Sequence, residues 1–194
     1  MSDPVAMLME CHERIRRFSA GLERLCLLED LSDHRAIPTA RACHRYFSLG
    51  LPLHARDEDE SLVPRLLDLR LSRVQRQALA DIEIEHLAIE RALPELLSAL
   101  DGPLERHALR GIGLPMVGLL RGHIDAEELL VFPLVQRLSP GDRADMVDEI
   151  RARHRHGSVP AGRSAWSLLR RAACGTSRPS SSPVASSPSK RFRC

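Results

Sequence analysis

Three His-x-x-x-Glu pairs constrain this chain more than any other feature: His54 with Glu58, His86 with Glu90, and His123 with Glu127. A fourth histidine, His12, falls inside an apolar helical stripe. Four residues span about one turn of an α-helix, so each imidazole and its carboxylate stand on the same face and can reach one metal centre. The pattern is metal-site geometry, and it asks for helices that face one another.

Composition agrees. Hydrophobic residues make up 43% of the chain but aromatics only 3%, and leucine, alanine, arginine and glutamate dominate, which favours helices over sheets. At 194 residues the chain has room for one domain with a core plus a tail. Asp3-Pro4 reads as an N-cap and first helical residue, followed by Val5, Leu8, Met9, His12, Ile15, Phe18, Leu22 and Leu25 in helical period to about Leu28. Ser32-Asp33 predicts the start of a second helix to about Leu69, kinked or restarted by Pro52 just before His54. Ser72-x-x-Gln75 is a capping-box pattern opening a third helix that Asp101-Gly102-Pro103 stops. The fourth runs to about Leu138, with Gly111, Gly113 and Pro115 predicting a local bend above His123. Ser139-Pro140-Gly141-Asp142 opens a short fifth helix ending near His154. Short connections make neighbours antiparallel, so the expected fold class is all-α, an up-down-up-down four-helix bundle.

Two of the pairs share a longer pattern. His54-Ala-Arg-Asp-Glu58 leads to Pro64, and His123-Ile-Asp-Ala-Glu127 leads to Pro133, each proline ten residues after its histidine, across an acidic cluster and then an apolar run. Over roughly residues 3 to 138 the chain resembles the hemerythrin-like, or HHE cation-binding, family, in which a lone first-helix histidine and later His-x-x-x-Glu pairs hold a di-iron centre inside a four-helix bundle. The resemblance implies two non-haem iron ions joined by an oxo or hydroxo bridge, with His12, His54, Glu58, His86, Glu90, His123 and Glu127 as metal ligands. Two six-coordinate irons offer about twelve positions. Four imidazoles and a terminal Glu90 fill five, bridging Glu58 and Glu127 four, and the oxygen bridge two, leaving about one for O₂, peroxide, nitric oxide or azide. Imidazole and carboxylate suit iron or manganese, and the lack of thiolates disfavours structural zinc.

Neighbouring carboxylates compete for these roles. Asp57, three residues after His54, stands where it could replace Glu58, and Glu83, three before His86, where it could replace Glu90; the family pattern favours the residues at +4. Oxygen-carrying members have a histidine at the place of Glu90, so that position is the one at which this chain departs. Cys11 lies about 100° round the helix from His12 and should face a neighbouring element. His34, His44, His107, His154 and His156 have no such constellation and read as surface or tail residues; His154 and His156 with Arg151, Arg153 and Arg155 form a small basic patch at a solvated helix end. Leu62, Val63, Leu130 and Phe132 are candidates for an apolar lining of the site, or for ordinary core.

The remaining features mark what to exclude. A net charge of +2, from 28 basic and 26 acidic residues, provides no field for nucleic acid. Five scattered cysteines without a Cys-x-x-Cys pair fit a reducing compartment, and no apolar run approaches the ~20 residues of a membrane span, so the expected location is cytoplasmic. Past His156 the composition turns to glycine, proline, serine and arginine, which predicts a disordered tail over 157–194 after a bundle domain over 1–156; Trp166, Leu168 and Leu169 could alternatively dock as one helical turn. The expected function is binding or sensing O₂, peroxide or nitric oxide, or holding iron. Alternatives are a peroxide-disproportionating di-iron enzyme and a metal-stabilised regulatory protein whose tail recruits a protein partner.

Overall fold

The computed structural model describes residues 3–31 and 34–156. Helix α1, Pro4–Leu27, starts as expected: the Asp3 carboxylate accepts from the Val5 N–H at 3.0 Å, and Pro4 follows it as a residue that needs no helical donor. The second bundle helix is segmented: α2, Ala36–Arg45; a π-helical turn, Tyr46–Gly50; α3, Leu51–Asp57; a second π turn, Glu58–Leu62; and α4, Val63–Leu67. Its expected start at Ser32-Asp33 lies outside the described residues, as does the tail 157–194.

Helix α5, Arg73–Asp101, is opened by a complete capping box, Ser72 Oγ accepting from the Gln75 N–H while the Gln75 side chain accepts from the Ser72 N–H. Helix α6, Arg106–Ala126, carries Gly111, Gly113 and Pro115 within one unbroken α-helix, and its regular hydrogen bonding changes only below His123. There a third π turn, Glu127–Val131, passes into a 3₁₀ segment, Phe132–Arg137. Helix α7, Pro140–His156, follows Ser139, whose hydroxyl accepts from the Asp142 N–H.

Each π turn ends two residues before a proline: Gly50 before Pro52, Leu62 before Pro64, Val131 before Pro133. A proline has no N–H for the carbonyl four residues back, and its ring crowds that carbonyl. The wider turn relieves this, with the Leu51, Val63 and Phe132 N–H groups bonding to the carbonyls of Tyr46, Glu58 and Glu127, five residues back.

The four bundle helices are α1, the segmented second helix, α5 and α6 with its continuation. α1 packs on α6 and α2, α5 packs on α6 and α2, and α7 lies against α1, α3 and the Glu58–Leu62 turn. Gly113 permits the close approach of α6 to α1, since a Cβ there would overlap Cys26 Sγ and press on Leu22. The interior divides into two apolar clusters, one around Ile15, Leu22, Phe47, Leu96, Leu109 and Leu120, the other around Leu8, Leu66, Ile82, Phe132, Val135 and Met146. Each histidine of the pattern falls between them: His12 between Leu8 and Ile15, His54 between Leu51 and Leu62, His86 between Ile82 and Ile89, His123 between Leu120 and Val131. The polar layer is thus sealed above and below by packed side chains. No described helix is long and apolar enough to cross a membrane.

Candidate metal centre

Helix α1 delivers His12, α3 His54, α5 His86 and α6 His123; the first residues of two π turns deliver Glu58 and Glu127. All six are buried, His86 being the most accessible at 8% exposure. Their donor atoms fall into two groups, His12, His54, Glu58 and Glu127 in one and Glu58, His86, His123 and Glu127 in the other, with the atoms of each within 4.8 Å of one another. Two imidazoles are private to each group and both carboxylates are common to the two.

The contacts within the groups are close: His12 Nε2 to Glu127 Oε2 3.2 Å, His54 Nε2 to Glu58 Oε1 3.1 Å, His86 Nε2 to Glu58 Oε2 3.2 Å, and His86 Nε2 to His123 Nε2 3.1 Å. Yet His12 Nε2, both ring nitrogens of His54, both oxygens of Glu58 and Glu127 Oε2 have no aligned hydrogen-bond partner. Buried polar atoms without partners are costly. A cation shared by inward lone pairs would satisfy all of these but the outer nitrogen of His54, and nitrogen and carboxylate oxygen without thiolate are donors that suit iron or manganese, so these residues fit such an ion.

The electrostatics differ between the histidines: against the effect of burial, His86, like His12, is pushed up by its neighbouring carboxylates, here Asp59 and Glu58. Burial pushes His54 down to about 3, keeping it in the neutral form that metals require. Burial also disfavours a charged His12, but Glu127 and Glu58 outweigh it and raise the value to about 10; since its Nε2 contact lacks hydrogen-bond alignment, we attribute that rise to their charge. Burial opposes the ionisation of Glu58, but the surrounding histidines hold its carboxyl well below the ordinary range. Burial and the charge of Glu58 push Glu127 up. The two carboxylates draw positive charge onto His12 and His86, and a bound metal ion would take the place of those protons.

Three further carboxylates, not anticipated from the sequence, hold the outer ring nitrogens. His12 Nδ1 lies 2.8 Å from Glu128, which Arg16 holds in turn at 2.8 Å; His86 Nδ1 lies 3.1 Å from Asp59; His123 Nδ1 lies 3.0 Å from Glu85. Each partner comes from a different bundle helix than its histidine. An Nδ1–H donated to a carboxylate fixes the ring and turns the Nε2 lone pair inward. Phe132 stacks on the His12 ring at 4.9 Å between centroids.

Glu90 does not join them: it is exposed and belongs to neither group, so the geometry corrects its expected place beside His86. The buried stripe of α5 centres near Ile82 and Leu100; His86 lies about 40° to one side of it, and the next step of four carries Glu90 to about 80°. Glu83 is likewise outside both groups. Asp57 is buried but turned toward α7, and Cys11 faces Asp57 and His154, away from both groups. Leu62, Val63 and Phe132 are buried, whereas Leu130 is 42% exposed and lines nothing. Arg151 and Arg155 are exposed, as expected, but Arg153 is half-buried, and both it and His154 bond to Asp57, which the reading of a solvated basic patch did not foresee. His34 and His107 are exposed, as expected.

A comparison with curated proteins finds no match. The hemerythrin HHE cation-binding domain family matches residues 3–133, which contain every grouped histidine and carboxylate of the buried centre. The chain therefore belongs to the hemerythrin HHE cation-binding domain family.

Proposed function

We propose that this is a non-haem di-iron protein that binds or senses a small oxidant or gas, O₂, peroxide or nitric oxide, or holds iron. The observation that carries this reading is the sharing of Glu58 and Glu127 by two otherwise separate donor groups. His12 and His54 would hold one iron and His86 and His123 the other, with Glu58 and Glu127 within reach of both. Bound iron would supply ligand binding and electron exchange. The chain's own part is to orient and to exclude: Asp59, Glu85 and Glu128 keep three imidazoles facing inward, and the apolar clusters on either side keep bulk water out.

With Glu90 outside the set, His12, His54, His86, His123, Glu58 and Glu127 would hold the metal, fewer donors than two six-coordinate ions accept. That shortfall would leave room for a small ligand and also supports a second reading, peroxide disproportionation, for which bound iron would supply the electron exchange.

The test is optical. Reduced, iron-loaded protein is mixed in stopped flow with aerated buffer, with nitric oxide and with peroxide. At least one should produce a new visible absorption band, and silence toward all three overturns the small-ligand reading. Sustained oxygen evolution from added peroxide, followed with an oxygen electrode, selects the enzyme over the carrier or sensor.

A further inference from the structure

Asp57 is fully buried, next in sequence to Glu58, and part of neither donor group. Its carboxylate faces α7: Oδ1 accepts from Arg153 Nε at 2.7 Å and Oδ2 lies 2.7 Å from His154 Nε2. One turn on, the Ser61 hydroxyl bonds to Glu149 and receives the Arg153 guanidinium. Arg65 holds the same Glu149 at 2.7 and 3.0 Å. On the second helix these contacts fall on the π turn Glu58–Leu62 or on the residues flanking it. That same turn presents Glu58 to both donor groups and Asp59 to His86.

Cys11, Asp57 and His154 also bring ligand-type atoms within 4.8 Å of one another. The Arg153 guanidinium already occupies Asp57 there, and a second cation beside it would be repelled. The cluster therefore works as a fastening. Helix α7, Pro140–His156, lies beyond the region that matches the family, residues 3–133, so the fastening is a feature of this chain that the family match does not cover.

We infer that α7 clamps the π turn that carries Glu58, with Asp57 as the positioning residue that ties the metal centre to the C-terminal helix. The inference rests on the metal reading above. A buried carboxylate that loses its guanidinium must find water or another cation. With Arg153 gone, His154 still holds Oδ2 but Oδ1 is left bare, and as Asp57 shifts to reach a new partner it draws the turn, and Glu58 with it. Retention of the ions depends on the clamp, whereas the number of ions does not.

Full-length protein loaded with Co(II), a probe with a visible ligand-field spectrum, is challenged with EDTA and the loss of that spectrum is timed. Arg153→Met and Asp57→Asn should release Co(II) roughly tenfold faster than the native chain, the low end of what a lost supporting contact costs a metal site, and shift its spectrum as Glu58 is displaced. Arg153→Lys, which keeps a cation, should recover most of the native rate. Arg121→Met, which breaks the Arg121–Glu23 pair between α6 and α1, should leave it unchanged. Should Asp57→Asn fail to fold, Arg153→Met decides alone, since that side chain reaches the surface. Native chain that holds two Co(II) while the clamp variants release them within about threefold of its rate overturns the clamp alone. Native chain that takes up no Co(II) overturns the metal reading and the clamp together.

Discussion

Glu58 and Glu127 are the residues on which the proposed centre turns, because each faces both donor groups while every histidine faces one. Glu58→Gln or Glu127→Gln would remove a negative charge from both donor groups at once. Either variant should lose both ions together, and metal analysis of the purified chains would record it. Glu90→Gln and His107→Ala, altering exposed side chains outside both groups, should keep the native metal content. A Glu90→Gln chain that loses metal would return Glu90 to the ligand set. His54→Ala should lower metal content and thermal stability together, since bound metal stabilises only the folded chain.

At the scale of elements, α7 is held by Glu149 as well as by Asp57. The Arg65 guanidinium, and after it Ser61, keep the Glu149 carboxyl below its ordinary value of 4.5. A lowered folded value contributes stability that is present above 4.5 and is lost as pH falls through the lowered one. In the metal-free protein, amide hydrogen exchange in α7 should therefore accelerate as pH falls below 4.5, after correction for the intrinsic rate, and Glu149→Gln should flatten that response. Where α6 meets α1, Gly113→Ala should destabilise by about 1–3 kcal/mol through overpacking against Cys26, read as a lower thermal midpoint. Much of this architecture was legible in the chain. Asp3-Pro4, Ser72-x-x-Gln75 and Ser139 each start a helix where their hydrogen bonding requires, and the stripe containing His12 points inward. The four histidines converge because one helical turn separates each from core residues on the same face. What stayed hidden depends on the π turns and on contacts between helices. Asp59 and Glu128 directly follow Glu58 and Glu127, and an ordinary α-helix would turn each about 100° away from its neighbour. The wider turn reduces that step, and the adjoining helix brings the histidine that each carboxylate holds. Asp57 was legible as a carboxylate near His54, but its direction is set by α7, ninety-six residues away in sequence at Arg153.

Across the whole molecule, two apolar clusters enclose a polar layer to which all four bundle helices contribute, so metal binding there would be coupled to folding. The six grouped residues all lie between positions 12 and 127, and the clamp ends with α7. Deleting residues 157–194 should accordingly leave metal stoichiometry unchanged, as measured on the truncated chain by metal analysis; loss of iron would show that the C-terminal segment contributes to the centre. The central claim is that two metal ions share one pair of carboxylates, and an anaerobic Fe(II) titration of the metal-free chain tests it most directly. Binding should saturate at two irons per chain in the native protein, with both sites lost in Glu127→Gln. Saturation at one iron or none, or a Glu127→Gln chain that still takes up two, would contradict it.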